Sequence, residues 1–232
     1  MNLLEVRNLK VKYGDFEAVR GVTFSLREGG ILGIVGESGS GKSTIAKVLM
    51  GLHRDYAGAI DLEPATKLAM IFQDAVGSLN PRMTVRATLK EVIATSTSTS
   101  TSTLTSLLSL VGLSEAVLDQ YPRELSGGQC QRVSIARALA AHPKILIADE
   151  PVSALDVSVQ ARILNLLREL RREINLSIIL IAHDLAVVKN ICDYVCVMEK
   201  GLIVDSGTPE KVFNAPESEY TRRLLEAVPT LT

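Results

Sequence analysis

The chain has 232 residues, enough for one sizeable hydrophobic core or for one core with a small lobe attached. Hydrophobic residues make up 47% and charged residues 22%, which argues against wholesale disorder, and a net charge of −1 supplies no long-range field toward nucleic acid. Three cysteines, Cys130, Cys192 and Cys196, argue against a disulfide framework and fit a reducing compartment.

In chain order, the first thirty residues alternate apolar and polar positions: Leu4, Val6, Leu9 and Val11, then Val19, Val22, Phe24 and Leu26. This pattern predicts short antiparallel strands with turns at Tyr13-Gly14-Asp15 and Glu28-Gly29-Gly30. The start carries Glu5, charge too early for an export segment, and no stretch approaches the roughly 20 apolar residues that span a bilayer. Any membrane contact is therefore expected through a partner. A buried strand is predicted over Ile31–Val35, then a glycine-rich turn, then a helix from Lys42 to Met50 closed by Gly51. Further strand-like runs follow at Leu68–Phe72, Ile145–Ala148, Ile178–Ala182 and Val195–Met198, the last turning at Lys200-Gly201 into Leu202–Val204.

The clearest helical pattern runs from Val159 to Ile174, with Ile163, Leu166, Leu167, Leu170 and Ile174 on one face and Arg168, Arg171 and Arg172 among Glu169 and Glu173 on a solvated one. Strands alternating with helices imply a mostly parallel sheet covered on both faces. The fold class expected is α/β, with that core sheet, an antiparallel N-terminal β lobe and a small helical lobe. One domain spans 1–232: a core over about 1–83 and 126–232, and a helical lobe over about 84–125. Within that lobe, the alternating Ser and Thr of 95–103 read as a flexible surface linker, with a modified tract as the alternative. Cys192 and Cys196, four apart in an apolar stretch without a nearby His, read as core residues rather than metal ligands.

Gly36-Glu37-Ser38-Gly39-Ser40-Gly41-Lys42-Ser43-Thr44 fits GxxxxGK[ST] between a predicted strand and a predicted helix. Glycines let the backbone turn tightly, so that successive N–H groups cradle phosphate oxygens beside a helix N-terminus. Lys42 would reach the β- and γ-phosphates, and the Ser43 hydroxyl would hold Mg²⁺. A second apolar strand ends in Asp149 and Glu150. Next to such a loop, Asp149 would hold Mg²⁺ through water and Glu150 would polarise the attacking water.

Leu125-Ser126-Gly127-Gly128-Gln129 resembles the signature of ATP-binding-cassette ATPases, and other marks of that family stand in order along essentially the whole chain. Tyr13 is similar to the aromatic that stacks on adenine, Gln73 to the Q-loop glutamine, Ser153-Ala154-Leu155-Asp156 to the D-loop and His183 to the switch histidine. Phe72-Gln73-Asp74 followed by Ser78-Leu79-Asn80-Pro81-Arg82, the run Ser153-Ala154-Leu155-Asp156-Val157-Ser158-Val159-Gln160 and the tail Tyr220-Thr221-Arg222-Arg223-Leu224-Leu225 resemble the peptide and nickel importers. The chain departs from the family pattern at Cys130, at the short segment 57–67 and at the Ser/Thr tract. It stops at Thr232, so no regulation through a longer C-terminal extension is expected.

The resemblance implies an ATPase that uses ATP and Mg²⁺ to power import of peptides or a metal chelate; a non-transport cassette acting in DNA repair or on ribosomes is the alternative. It implies catalytic roles for Glu150, His183, Lys42 and Gln73, and a metal shell of Ser43, Gln73 and Asp149. It implies nucleotide contacts from Tyr13, Gly36, Ser38, Gly39, Ser40, Gly41, Lys42, Ser43 and Thr44. Ser126, Gly127, Gly128 and Gln129 would contact the nucleotide across a dimer, with Asp156 at the interface. The partners implied are two membrane-spanning permease subunits, a second ATPase subunit, identical or related, and an extracellular or periplasmic solute-binding protein, with no nucleic acid. The place implied is the cytoplasmic face of the membrane. Cys130 reads as an ordinary residue rather than a redox switch, the minor alternative that its place near a helix N-terminus, which could lower a thiol pKa, leaves open.

Overall fold

A computed structural model describes residues 2–95, 103–153 and 155–227. Most of the Ser/Thr tract (96–102), and Ala154 of the D-loop pattern, lie outside the described residues. In chain order the elements are β1 (Asn2–Tyr13), β2 (Phe16–Arg27), β3 (Ile31–Val35), α1 (Lys42–Leu49), β4 (Tyr56–Leu62), β5 (Leu68–Ile71), α2 (Val85–Thr95), α3 (Leu104–Leu110), α4 (Gly127–Leu139) and β6 (Ile145–Asp149). Then follow α5 (Val157–Glu173), β7 (Ser177–Ala182), α6 (Leu185–Lys189), β8 (Tyr194–Glu199), β9 (Leu202–Gly207), α7 (Pro209–Asn214) and α8 (Glu219–Glu226). The chain forms two compact units, one of Met1–Thr66 with Ser177–Thr232 and one of Lys67–Leu176.

The first unit holds two sheets. In one, β1 pairs antiparallel with both β2 and β4. The N-terminal strands are not short, as the alternation predicts, but twelve residues each. Register shifts between Val6 and Leu9 and further along let an extended pair twist without losing its buried face, and Asn8 takes a left-handed φ of 49° there. In the other sheet β3 lies parallel to β7 and β8, and β9 returns antiparallel to β8. Every residue of β3 and β7 is buried, as expected for parallel strands covered on both faces. The return turn puts Lys200 at φ 48° and Gly201 at φ 82°, the two positive values of a tight primed hairpin.

The second unit pairs β5 parallel with β6 and carries helices α2 to α5. Among its described residues no strand lies between 72 and 144. Helix α5 buries Ile163, Leu166, Leu167 and Leu170 on one face. Ile174, expected on that face, closes the helix instead and is 43% exposed.

Candidate functional site

In the first unit the phosphate loop runs from the end of β3 into α1. Its shape is enforced by its surroundings. Gly41 caps α1 at φ 106°, and a Cβ there would stand 2.4 Å from the carbonyl oxygen of Ala18. A Cβ on Gly36 would meet the Met198 carbonyl at 2.1 Å. Only glycine fits either place, and both obstacles are backbone, which cannot swing aside. Gly39 is open, with φ 80° and nothing near its hydrogen.

Lys42 is buried and folds back over the loop, donating to the carbonyls of Gly36 at 2.7 Å and Glu37 at 2.8 Å and to Ser40 Oγ at 3.4 Å. A buried ammonium is tolerated only when its protons are taken up, and here the loop's own carbonyls do so. Anionic oxygens arriving at the loop would be stronger acceptors for the same protons. Ser40 is buried and its carbonyl accepts the Gly201 N–H, which ties the loop to the hairpin turn. Ser38 and Ser43 are exposed and Thr44 is half-buried.

Also in the first unit, Tyr13 ends β1 with 44% exposure, and its ring lies 4.8 Å from that of His53 in a tilted pair. His183 follows β7 directly, exposed, and the next residue, Asp184, caps α6 by accepting the Ala186 N–H at 2.7 Å.

In the second unit Asp149 ends β6 buried, at 7% exposure, and Glu150 takes the next position with a φ of 46°. A left-handed glutamate is uncommon and costs on the order of 1 kcal/mol. The conformation re-aims the side chain at the strand end, and Ser153 secures it by donating N–H and Oγ–H to the Glu150 carbonyl. The Gln73 amide donates to the Glu150 carboxylate at 2.9 Å, so two of the expected catalytic residues are brought together.

Ser126 caps α4. Its Oγ accepts the Gln129 N–H at 3.3 Å while Gln129 Oε1 accepts the Ser126 N–H at 2.9 Å, a reciprocal capping box. The Ser126 hydroxyl proton is left over to donate elsewhere. Gly128 is needed for size: a Cβ would stand 2.9 Å from Val159 Cγ1. Gly127 has room, its nearest side-chain atom on Leu155 lying at 3.5 Å. Asp156 caps α5, accepting from the Ser158 hydroxyl at 2.8 Å and the Val159 N–H at 3.0 Å, and these bonds hold its carboxyl below the usual range.

Three features are not visible in the sequence. Arg137 of α4 is desolvated, which lowers its pKa, and donates to the Ser78 carbonyl at 2.6 Å and Ser78 Oγ at 3.3 Å, pinning the loop after Gln73. Beside that loop lies an open groove of about 620 Å³ lined by Phe72, Asp74, Ser78, Val92 and Arg137. Tyr220, in the first unit, reaches the phosphate loop. Only a search for long-range pairs would reveal such contacts.

The structure argues against the redox alternative for Cys130. It is 1% exposed and donates to the Pro122 carbonyl, and burial pushes its pKa up, outweighing a hydrogen bond from its own backbone N–H. Cys192 and Cys196 are buried, with the Cys196 thiol pushed up to about 12 by burial. Among the described residues no cluster of three or more His, Cys, Asp or Glu could hold a metal, and no helix is long and apolar enough to cross a membrane.

Residues 19–153 match the ABC transporter family. The chain is 44% identical to the oligopeptide transport ATP-binding protein OppF of Salmonella typhimurium over 98% of its own length and 78% of that protein's. It is 43% identical to the oligopeptide transport ATP-binding protein AppF of Bacillus subtilis, covering 94% of this chain and 72% of that one. Among solved structures it resembles cbiO1 from Clostridium perfringens, part of the ABC transporter complex cbiONQ, with a TM-score of 0.80 and 28% identity over 98% of this chain and 96% of that one. It also resembles the dimeric post-hydrolysis cassette MJ0796 bound to ADP and Pi, with a TM-score of 0.75 and 26% identity over 89% and 98%.

Proposed function

The chain belongs to the ABC transporter family of ATP-hydrolysing cassettes, and from that premise we propose that it drives the import of oligopeptides through a membrane permease. The observation that carries this reading is the identity to oligopeptide transport ATP-binding proteins along nearly the whole chain.

The loop amides that follow Glu37, with Lys42, hold the β- and γ-phosphates, Tyr13 stacks on adenine, and His183 holds the γ-phosphate and orients water. Glu150 polarises the water, and Gln73, whose amide donates to the Glu150 carboxylate, reports on the γ-phosphate. The Ser43 hydroxyl, the Asp149 carboxylate and the Gln73 amide oxygen are all hard oxygen donors, the set that suits Mg²⁺. When bound, the ion neutralises charge developing on the transferred phosphoryl group.

Ser126, with its spare proton, and the Gly127, Gly128 and Gln129 segment contact the γ-phosphate held by a second ATPase subunit, with Asp156 at that interface. Segment 84–125 is the helical lobe that leads into this signature. The groove beside Ser78 and Arg137 takes a cytoplasmic helix of one of two permease subunits, which holds the chain peripherally on the cytoplasmic face. An external binding protein supplies the solute.

The test is uptake. The chain, its paired ATPase and the permease subunits are reconstituted in vesicles with the binding protein, and labelled peptide is followed with and without ATP. ATP-dependent accumulation of peptide is expected. Uptake of a nickel chelate with no peptide uptake overturns the substrate class.

A further inference from the structure

The tail Tyr220–Leu225 marks a transport class in the sequence yet has no assigned part in the chemistry. In the structure Tyr220 is the second residue of α8, and its phenol oxygen accepts the backbone N–H of Glu37 at 2.9 Å. Glu37 is the second residue of the phosphate loop, 183 positions earlier in the chain.

The phenol is held firmly. Asp205 of β9, 4% exposed, accepts the N–H groups of Glu217 and Ser218 at 2.9 and 3.3 Å, fixing the approach to α8. Ser218 then caps the helix through the Tyr220 N–H at 3.2 Å. The Tyr220 side chain is buried at 5% exposure, and the Arg223 guanidinium lies 5.9 Å from its ring centre.

On the loop side, the Glu37 carbonyl accepts Lys42 Nζ at 2.8 Å and the Ser40 N–H at 3.2 Å. The peptide groups on either side of the Glu37 Cα are thus both held, one by Tyr220 and one by Lys42. When Lys42 turns from the loop carbonyls to a phosphate, it gives up its share of that grip. Tyr220 does not depend on the ligand and keeps its own.

We propose that Tyr220 is a positioning residue for nucleotide binding, holding the first turn of the phosphate loop in its nucleotide-accepting shape from the C-terminal helix. This rests on the ATPase reading above. The Glu37 N–H is spent on Tyr220, so the phosphate cradle is built from the amides that follow it. The effect is one of preorganisation, and it acts on affinity rather than on the chemical step.

The test uses Tyr220→Phe in the full chain, which removes one hydroxyl and keeps the ring. Titration with a fluorescent ATP analogue is expected to show affinity about fivefold weaker, the equivalent of one net neutral hydrogen bond. The KM for ATP should rise by the same factor, with kcat at saturating ATP within about twofold of the parent. Amide exchange needs no variant: the Glu37 N–H of the parent should be protected, and should exchange faster in Tyr220→Phe. Unchanged affinity and KM, or a freely exchanging Glu37 amide in the parent, overturns the proposal whatever the melting temperature does. A parent chain that fails to bind ATP at all breaks the ATPase reading instead.

Discussion

The phosphate loop and the signature segment are both glycine-rich and both directed, in the proposed function, at phosphate, yet they are built in opposite ways. The loop is walled. Gly36 and Gly41 lie against backbone carbonyls, Ser40 and Lys42 are buried, and Tyr220 grips the first turn. The signature is exposed at Ser126 and Gly127, and its polar groups satisfy one another in a capping box that shapes only its own helix. A ligand cradle that must be ready before its ligand arrives is fixed from outside. A surface that must meet a second subunit keeps its helix start ordered with its own side chains and leaves one proton to give.

The strongest way to break this contrast is Gly41→Ala. A methyl 2.4 Å from the Ala18 carbonyl, at a φ of 106°, forces the loop to move. Backbone strain and overpacking together cost about 2–4 kcal/mol, a drop in melting temperature of roughly 5–15 °C for a chain of this size. Nucleotide affinity should fall at least about tenfold, read by titration on the fraction that remains folded. Normal affinity would mean the walls are not what shapes the cradle.

A finer instrument is Ser126→Asp. Aspartate caps helices as well as serine does, so stability should stay within about 0.5 kcal/mol of the parent in thermal melts. A carboxylate turned toward a phosphate should still cut ATP turnover at least about tenfold, with binding to the isolated chain unchanged. Parental turnover in that variant would leave Ser126 a helix cap and nothing more.

How much of this was legible beforehand follows from how local each feature is. The strand, loop and helix from Ile31 to Leu49 could be read directly, because pattern, punctuation and chemistry fall within about twenty residues. So could the acidic end of β6. Strand β4 leaves little mark in the sequence, since Tyr56–Leu62 is largely exposed and rich in Ala and Gly, with no buried alternation. The five residues of α6 and the helix α8 were too short or too polar to announce themselves. The left-handed turn at Glu150, its bond to Gln73 and the reach of Tyr220 to Glu37 depend on tertiary placement over as many as 183 positions, which no periodicity encodes. The redox alternative at Cys130 falls for a physical reason: a helix N-terminus favours a thiolate, but desolvation at 1% exposure disfavours it more.

The account turns on Glu150 as the group that activates water on a nucleotide held by the phosphate loop. The direct measurement is phosphate release and ATP retention in the same sample of Glu150→Gln, assembled with its transporter subunits. The account predicts release slowed by roughly 10²–10⁴-fold, the range for loss of a general base, with ATP still bound. Phosphate release at the parental rate from that variant would contradict it.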